Sequence, residues 1–167
     1  MIAIRPAEPG DAAAIRDVLT AAFPTGAEAD LVEALTRDGD AVVSLVAVRE
    51  GEPVGHVLLS RMRVSGDGRA VGLGPVGVVP GFQGGGIGAA LIEAALGIAR
   101  ATGEEIVFVL GEPDYYRRFG FSEETAAPFA SPYAGPYFMA LALQPGSTLP
   151  ASGEAAYAPA FSDLPEA

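Results

Sequence analysis

The chain has 167 residues, 50% of them hydrophobic, and a formal net charge of −11 in which every cation is an arginine. That length suits one domain with a buried core, and the apolar share excludes global disorder. The acidity excludes nucleic acid or anionic membrane bound through the overall field, and the lack of cysteine excludes disulfides, thiolate metal sites and a cysteine nucleophile.

With a single histidine, His56, no metal site is expected, and a serine–histidine triad has only that one residue to draw on. The start, MIAIRPAEPGD, carries no apolar core of signal-peptide length, and no segment approaches about 18 uninterrupted apolar residues. The expectation is a cytoplasmic protein with no membrane partner.

In chain order, residues 2–5 predict a short strand stopped by Pro6. Asp11, after Pro9-Gly10, occupies a helix N-cap position. Ile15, Val18, Leu19 and Ala22 then follow helical spacing. Pro24 and Gly26 interrupt, and a second short helix is predicted over 28–37, burying Leu31, Val32 and Leu35. The period then changes to that of strands at 42–48, 54–64 and 70–79, with turns at 49–53 and 65–68, so three strands form an antiparallel meander. Pro75 within the third run predicts a bulge or interruption. A nearly all-apolar helix is predicted over 87–100, followed by a central strand at 106–110, which completes a β-α-β unit. A short helix over 113–118, a loop over 122–136 and a last strand over 137–143 follow. Residues 1–146 are expected to form the domain. Residues 147–167 are expected to be an arm packing on it, with Tyr157 and Phe161 to bury.

Four glycines, Gly84, Gly85, Gly86 and Gly88, sit at the mouth of the apolar helix. A helix N-terminus has unpaired N–H groups and a partial positive charge, and glycines let an anion approach those amides closely. The local physics therefore points to an anion cradle, most plausibly for a diphosphate, with a flexible turn as the plain alternative. The same glycines fit a G-x-G-x-x-A dinucleotide fingerprint, with Glu112 after the next strand as a ribose-binding acid. Against that stand Pro80 to Gln83 between strand and glycines, the antiparallel meander, and too little chain for the second half of such a fold.

The stretch VGVVPGFQGGGIGAALIEAAL resembles motif A of the GCN5-related N-acetyltransferase (GNAT) superfamily, and VLGEPDYYRRFGF resembles its YhbS-type group. The resemblance implies an α+β fold: a mixed, mostly antiparallel central sheet splayed at one strand pair, with helices on both faces. It implies acetyl-CoA as cosubstrate, lying in the splay. Its pantetheine arm would pair with the backbone around Val76, Gly77 and Val78, and an N–H near Val78 would face the thioester oxygen. Its diphosphate would rest on the amides of Gln83, Gly84, Gly85, Gly86, Ile87 and Gly88.

The family's acid tyrosine falls on Tyr116, with Tyr115 as fallback, and a tyrosine hydroxyl suits protonation of a leaving thiolate. For the base, Glu28, Asp30, Glu33 and Glu112 are candidates. Glu28 leads, because it lies where the superfamily shapes its acceptor pocket. His56 reads as structural, Phe119 and Phe121 as core, and Arg117 and Arg118 as contacts to the CoA 3′-phosphate or as a solvated face. The expected activity is acetyl transfer to a primary amine of a small molecule or peptide by a monomer or homodimer. The rival classes are a CoA-binding sensor without turnover and a dinucleotide oxidoreductase.

Overall fold

Ile2–Pro6 (β1) ends at its proline, and a 3-10 turn over Pro9–Asp11 leads into helix α1 (Ala12–Ala22). The computed structural model describes residues 1–65, 69–144 and 152–163. Asp11 stands at the expected helix start, but its side chain does not cap α1. It accepts from the Glu8 N–H at 2.7 Å and from the Arg5 guanidinium at 2.7 and 3.0 Å. The carboxylate is spent on closing the preceding turn, and the Arg5 contact chiefly holds its pKa down at about 2.

Helix α2 (Ala27–Arg37) follows, then strands β2 (Ala41–Arg49), β3 (Glu52–Val64) and β4 (Ala70–Val78). The β2–β3 turn is tighter than the sequence suggested. Only Glu50 and Gly51 turn, with φ of 51° and 81°, the mirror-image geometry that matches strand twist. Pro53 is accommodated inside β3 by a register shift between Ala47 and Val48 on the facing strand. A second irregularity lies where Pro75 predicts it. The partner of Val57 is Val76 and that of Leu59 is Leu73, which leaves an extra residue in β4.

Helix α3 (Ile87–Ala101) crosses over to β5 (Ile106–Leu110), which pairs parallel to β4. The sheet order is β1-β2-β3-β4-β5-β7, where β7 is Phe138–Ala142, and every pairing along it except β4–β5 is antiparallel. On one face α3 buries Leu91, Ile92, Ala95 and Leu96 against Val57, Leu59, Val71 and Val107. On the other, α1 and α2 bury Leu19 and Leu35 against Val46 and Leu58. Burying each such side chain contributes about 1.5–3 kcal/mol. Glu104, with no exposure at all, receives Arg61 at 2.7 Å and Arg69 at 2.7 Å and so ties β3 and the approach to β4 to the end of α3. Among the described residues no helix is long and apolar enough to cross a membrane.

After β5 comes helix α4 (Pro113–Tyr116), tightening into a 3-10 turn over Arg117–Phe119. The stretch 122–136, expected to be loop, carries two short elements. Ser122 Oγ accepts from the Thr125 N–H at 3.1 Å and starts α5 (Glu123–Ala126), whose first turn is acidic. Phe129–Ala130 (β6) pairs with Gly153–Ala156 (β8), which also pairs with the end of β3. Phe129 and Phe138 flank the fully buried Phe108 at centroid distances of 5.5 and 5.3 Å. The last described segment thus joins the sheet system and brings Tyr157 and Phe161 against it.

Candidate active site

β4 and β5 pair only from Ala70 to Leu73 against Ile106 to Val109; beyond that they part. Past the irregularity at Gly74-Pro75, Val76 to Val78 of β4 keep the β3 ladder on one edge and, among the described residues, have no strand on the other. The Val79 N–H donates to the Val54 carbonyl at 2.9 Å. The two-residue alternation of an antiparallel ladder therefore turns the N–H and C=O of Val76 and Val78 into the gap, and those of Gly77 toward β3. Gly77 also makes room for α1, since a Cβ there would sit 3.0 Å from Leu19 Cδ2.

The gap leads to the glycine loop. Gln83 braces this loop: its N–H reaches the Pro80 carbonyl at 3.3 Å and its Nε2 donates to the Val78 carbonyl at 2.9 Å. The first helical bond of α3 runs from the Ala90 N–H to the Gly86 carbonyl at 3.0 Å. Among the described residues, the amides of Gly84, Gly85, Gly86, Ile87, Gly88 and Ala89 have no acceptor. Gly84 and Gly86 have φ of 81° and 87°, and a Cβ on either would meet nothing within 4 Å. The backbone conformation, not crowding, calls for glycine there, and the space above the amides is open. A cavity of about 270 Å³ lies over this loop, walled by Tyr115 and Arg118. The Arg118 guanidinium lies 4.7 Å over the Tyr115 ring, whereas Arg117 turns to Asp114 at 3.4 Å. A helix-tip cradle with one arginine at its edge fits a diphosphate.

At the other end of the gap is a cavity of about 320 Å³ bounded by Glu28, Gly74, Val76, Tyr116 and Tyr157. Glu28 Oε1 is buried there and has no hydrogen-bond partner among the described residues. Burial chiefly, and Tyr115 secondarily, raises the Tyr116 pKa. The Tyr116 ring lies against Gly111, where any Cβ would collide with it. Adjacent tyrosines thus serve different cavities, Tyr115 the loop end and Tyr116 the Glu28 end.

The structure does not bring the other candidate acids here. Asp30 and Glu33 each pair with Arg16 at 2.8 Å. Glu112 is exposed, and its carbonyl takes the Tyr116 N–H at 3.1 Å. His56 is fully buried, 2.9 Å from Ser44 Oγ, and burial lowers its pKa to about 4, which keeps it neutral. Phe121 is core and Phe119 packs half-buried against it. A larger cavity of about 510 Å³ lies between α1, α2 and the start of β2, but it touches neither the gap nor the loop. Sequence reasoning missed Tyr133 altogether and missed that Tyr157 and Phe161 line the Glu28 cavity rather than only covering the core. Their signal was three aromatics in otherwise small-residue segments.

The model of the acetyltransferase (GNAT) family matches residues 12–121. The Escherichia coli (strain K12) protein named uncharacterized N-acetyltransferase YjhQ is 42% identical over 116 residues, which span 66% of this chain and 64% of that protein, a little under two thirds of its length. The crystal structure of the Escherichia coli GNAT family N-acetyltransferase YhbS in complex with CoA superposes with a TM-score of 0.89 at 30% identity, covering 98% of this chain and 93% of that one. A GNAT family acetyltransferase from Brucella melitensis in complex with acetyl-CoA gives a TM-score of 0.81 at 38% identity, covering 96% and 98%. The family match runs from α1 through the meander, the splayed strands and the glycine loop to the tyrosine pair, and on that span this chain belongs to the acetyltransferase (GNAT) family.

Proposed function

We propose that the chain transfers an acetyl group from acetyl-CoA to a primary amine. The observation that carries this reading is the open edge of β4, which runs from a cavity with a buried, unpaired carboxylate oxygen to six unbonded amides at a helix tip. The CoA and acetyl-CoA in the YhbS and Brucella structures support it.

The amides of Gly84 to Ala89, with Arg118 beside them, would hold the diphosphate, and the open edge of β4 from Val78 toward Val76 would hold the pantetheine amides. Bound there, acetyl-CoA supplies an acyl carbon activated as a thioester. The Val76 N–H, which faces the gap at the Glu28 end, would point where charge develops on the carbonyl oxygen, whereas Val78, expected in that role from the sequence, lines the loop cavity. Glu28 draws the entering ammonium and takes its proton, so that a neutral nitrogen bonds to the acyl carbon as the C–S bond breaks. Tyr116 gives its proton to the departing sulfur. Nitrogen loses two protons in all: one replaces that of Tyr116 and one goes to solvent. The products are an amide and a free thiol.

The test has two steps. Acetyl-CoA should raise Tm by mass action while NAD or NADP does not. Thiol release from acetyl-CoA should then depend on added amine across a panel. Stabilisation by NAD(P) alone would contradict the reading; stabilisation by acetyl-CoA with no amine-dependent thiol release would make this a binding module.

A further inference from the structure

The cavity beside Glu28 is walled by a particular chemistry. At about 320 Å³ it lies near the lower end of small-ligand pockets, roughly 300–1,000 Å³. One wall is a run of rings: Tyr133 meets Tyr157 edge-on at 5.6 Å, and Tyr157 meets Phe161 at 4.7 Å. Tyr157 is held there by close approach to the sheet, since a Cβ on Gly72 would sit 2.7 Å from its Cε1. Phe23 and Leu31, packed in one cluster with Phe161, add aliphatic and aromatic lining, and Leu110 also lines the space, half exposed at the end of β5. Among the described residues Glu28 is the only charged one lining the space, and no arginine lines it. The chain has no lysine to supply a cation instead.

Building on the transfer activity proposed above, we infer that the acceptor is a compact primary monoamine with an apolar, preferably aromatic, body. Its ammonium pairs with the carboxylate oxygen of Glu28, which is buried without a partner among the described residues. Tyrosine and phenylalanine faces favour the same cation. The apolar body displaces water from the ring wall. An amino acid brings a carboxylate that finds no cation in the cavity, and a diamine brings a second ammonium that finds no second anion; each is left desolvated and unpaired. Selectivity here is mainly rejection of the extra charge.

The test uses the full chain at saturating acetyl-CoA and three probes: 2-phenylethylamine, phenylalanine and 1,4-diaminobutane. The expected result is a kcat/KM for 2-phenylethylamine at least tenfold above either of the others. Tyr133→Ala truncates a ring that is 41% exposed, so folding is retained. It should raise KM for 2-phenylethylamine several-fold and leave KM for acetyl-CoA unchanged. Equal or better use of phenylalanine or the diamine overturns the inference, as does an unchanged amine KM in Tyr133→Ala. If acetyl-CoA stabilises the chain and another amine is acetylated but 2-phenylethylamine is not, the inference falls while the transfer reading stands. If acetyl-CoA neither stabilises the chain nor is consumed, both fall.

Discussion

Tyr115 and Tyr116 are neighbours in sequence, yet one edges the glycine-loop cavity and the other the Glu28 cavity. The YRRFGF motif favours Tyr116 as the acid, and its place beside the open edge of β4 supports that assignment. Tyr116→Phe keeps the ring and removes only the hydroxyl, so kcat should fall by about 100-fold, the lower end of general-acid effects, with acetyl-CoA affinity unchanged. Steady-state rates with calorimetric titration would check this. Because burial raises the Tyr116 pKa above its ordinary 10.0, the acid stays protonated through the neutral and mildly alkaline range. A profile of kcat against pH should therefore show no alkaline decline below about pH 10. A decline centred near pH 8 would assign the acid elsewhere. Glu28 stood out in the sequence only as a member of a region; its buried, unpaired oxygen is what separates it from Asp30 and Glu33, which Arg16 neutralises.

At the scale of elements, the tip of α3 depends on Gly86 in the left-handed region, with φ of 87°. Gly86→Ala imposes a backbone penalty of about 1–2 kcal/mol. The loop should relax away from the cradle, raising KM for acetyl-CoA about tenfold with a smaller change in kcat, as initial-rate kinetics would show. Glu104 sets the spacing at the closed end of the same strand pair. Removing it leaves two partly exposed arginines that water can solvate, so Glu104→Ala should cost about 1–3 kcal/mol in urea unfolding; no measurable loss would show that the cluster carries little.

The strands and long helices were legible because their periods are strong: valine runs at 42–48 and 106–110, apolar spacing in 87–100. The short elements were not. A four-residue helix begun by Ser122 lies inside an Ala/Pro/Ser stretch, and β6 exists only because β8 returns to pair with it, a tertiary pairing that no local pattern announces. The same distance in sequence hid Tyr157 as a wall of the Glu28 cavity. The open amides of the glycine loop, by contrast, were largely readable in place: Gly84 to Gly88 have no acceptor among the described residues, while the Gln83 N–H is taken by the Pro80 carbonyl and the Ala89 amide joins the open set.

Over the whole molecule, acid response should follow the Arg5–Asp11 contact that closes the turn between β1 and α1. Asp11 has a folded pKa of about 2 against an ordinary 3.8. A depressed carboxylate stabilises fully above its unfolded pKa and loses that contribution as pH falls through the folded value. The Tm difference between the wild-type chain and Asp11→Asn should therefore be constant above about pH 5 and shrink steadily toward pH 2. A difference independent of pH over that range would mean the ion pair is not the source.

The central physical claim is that one continuous backbone surface, from the free edge of β4 to the tip of α3, receives acetyl-CoA. Amide hydrogen exchange with and without acetyl-CoA measures it most directly. Binding should slow exchange at Val76, Val78 and Gly84 to Ala89, while Gly77, already facing β3, changes little. Binding that leaves those amides exchanging as fast as before would contradict the claim.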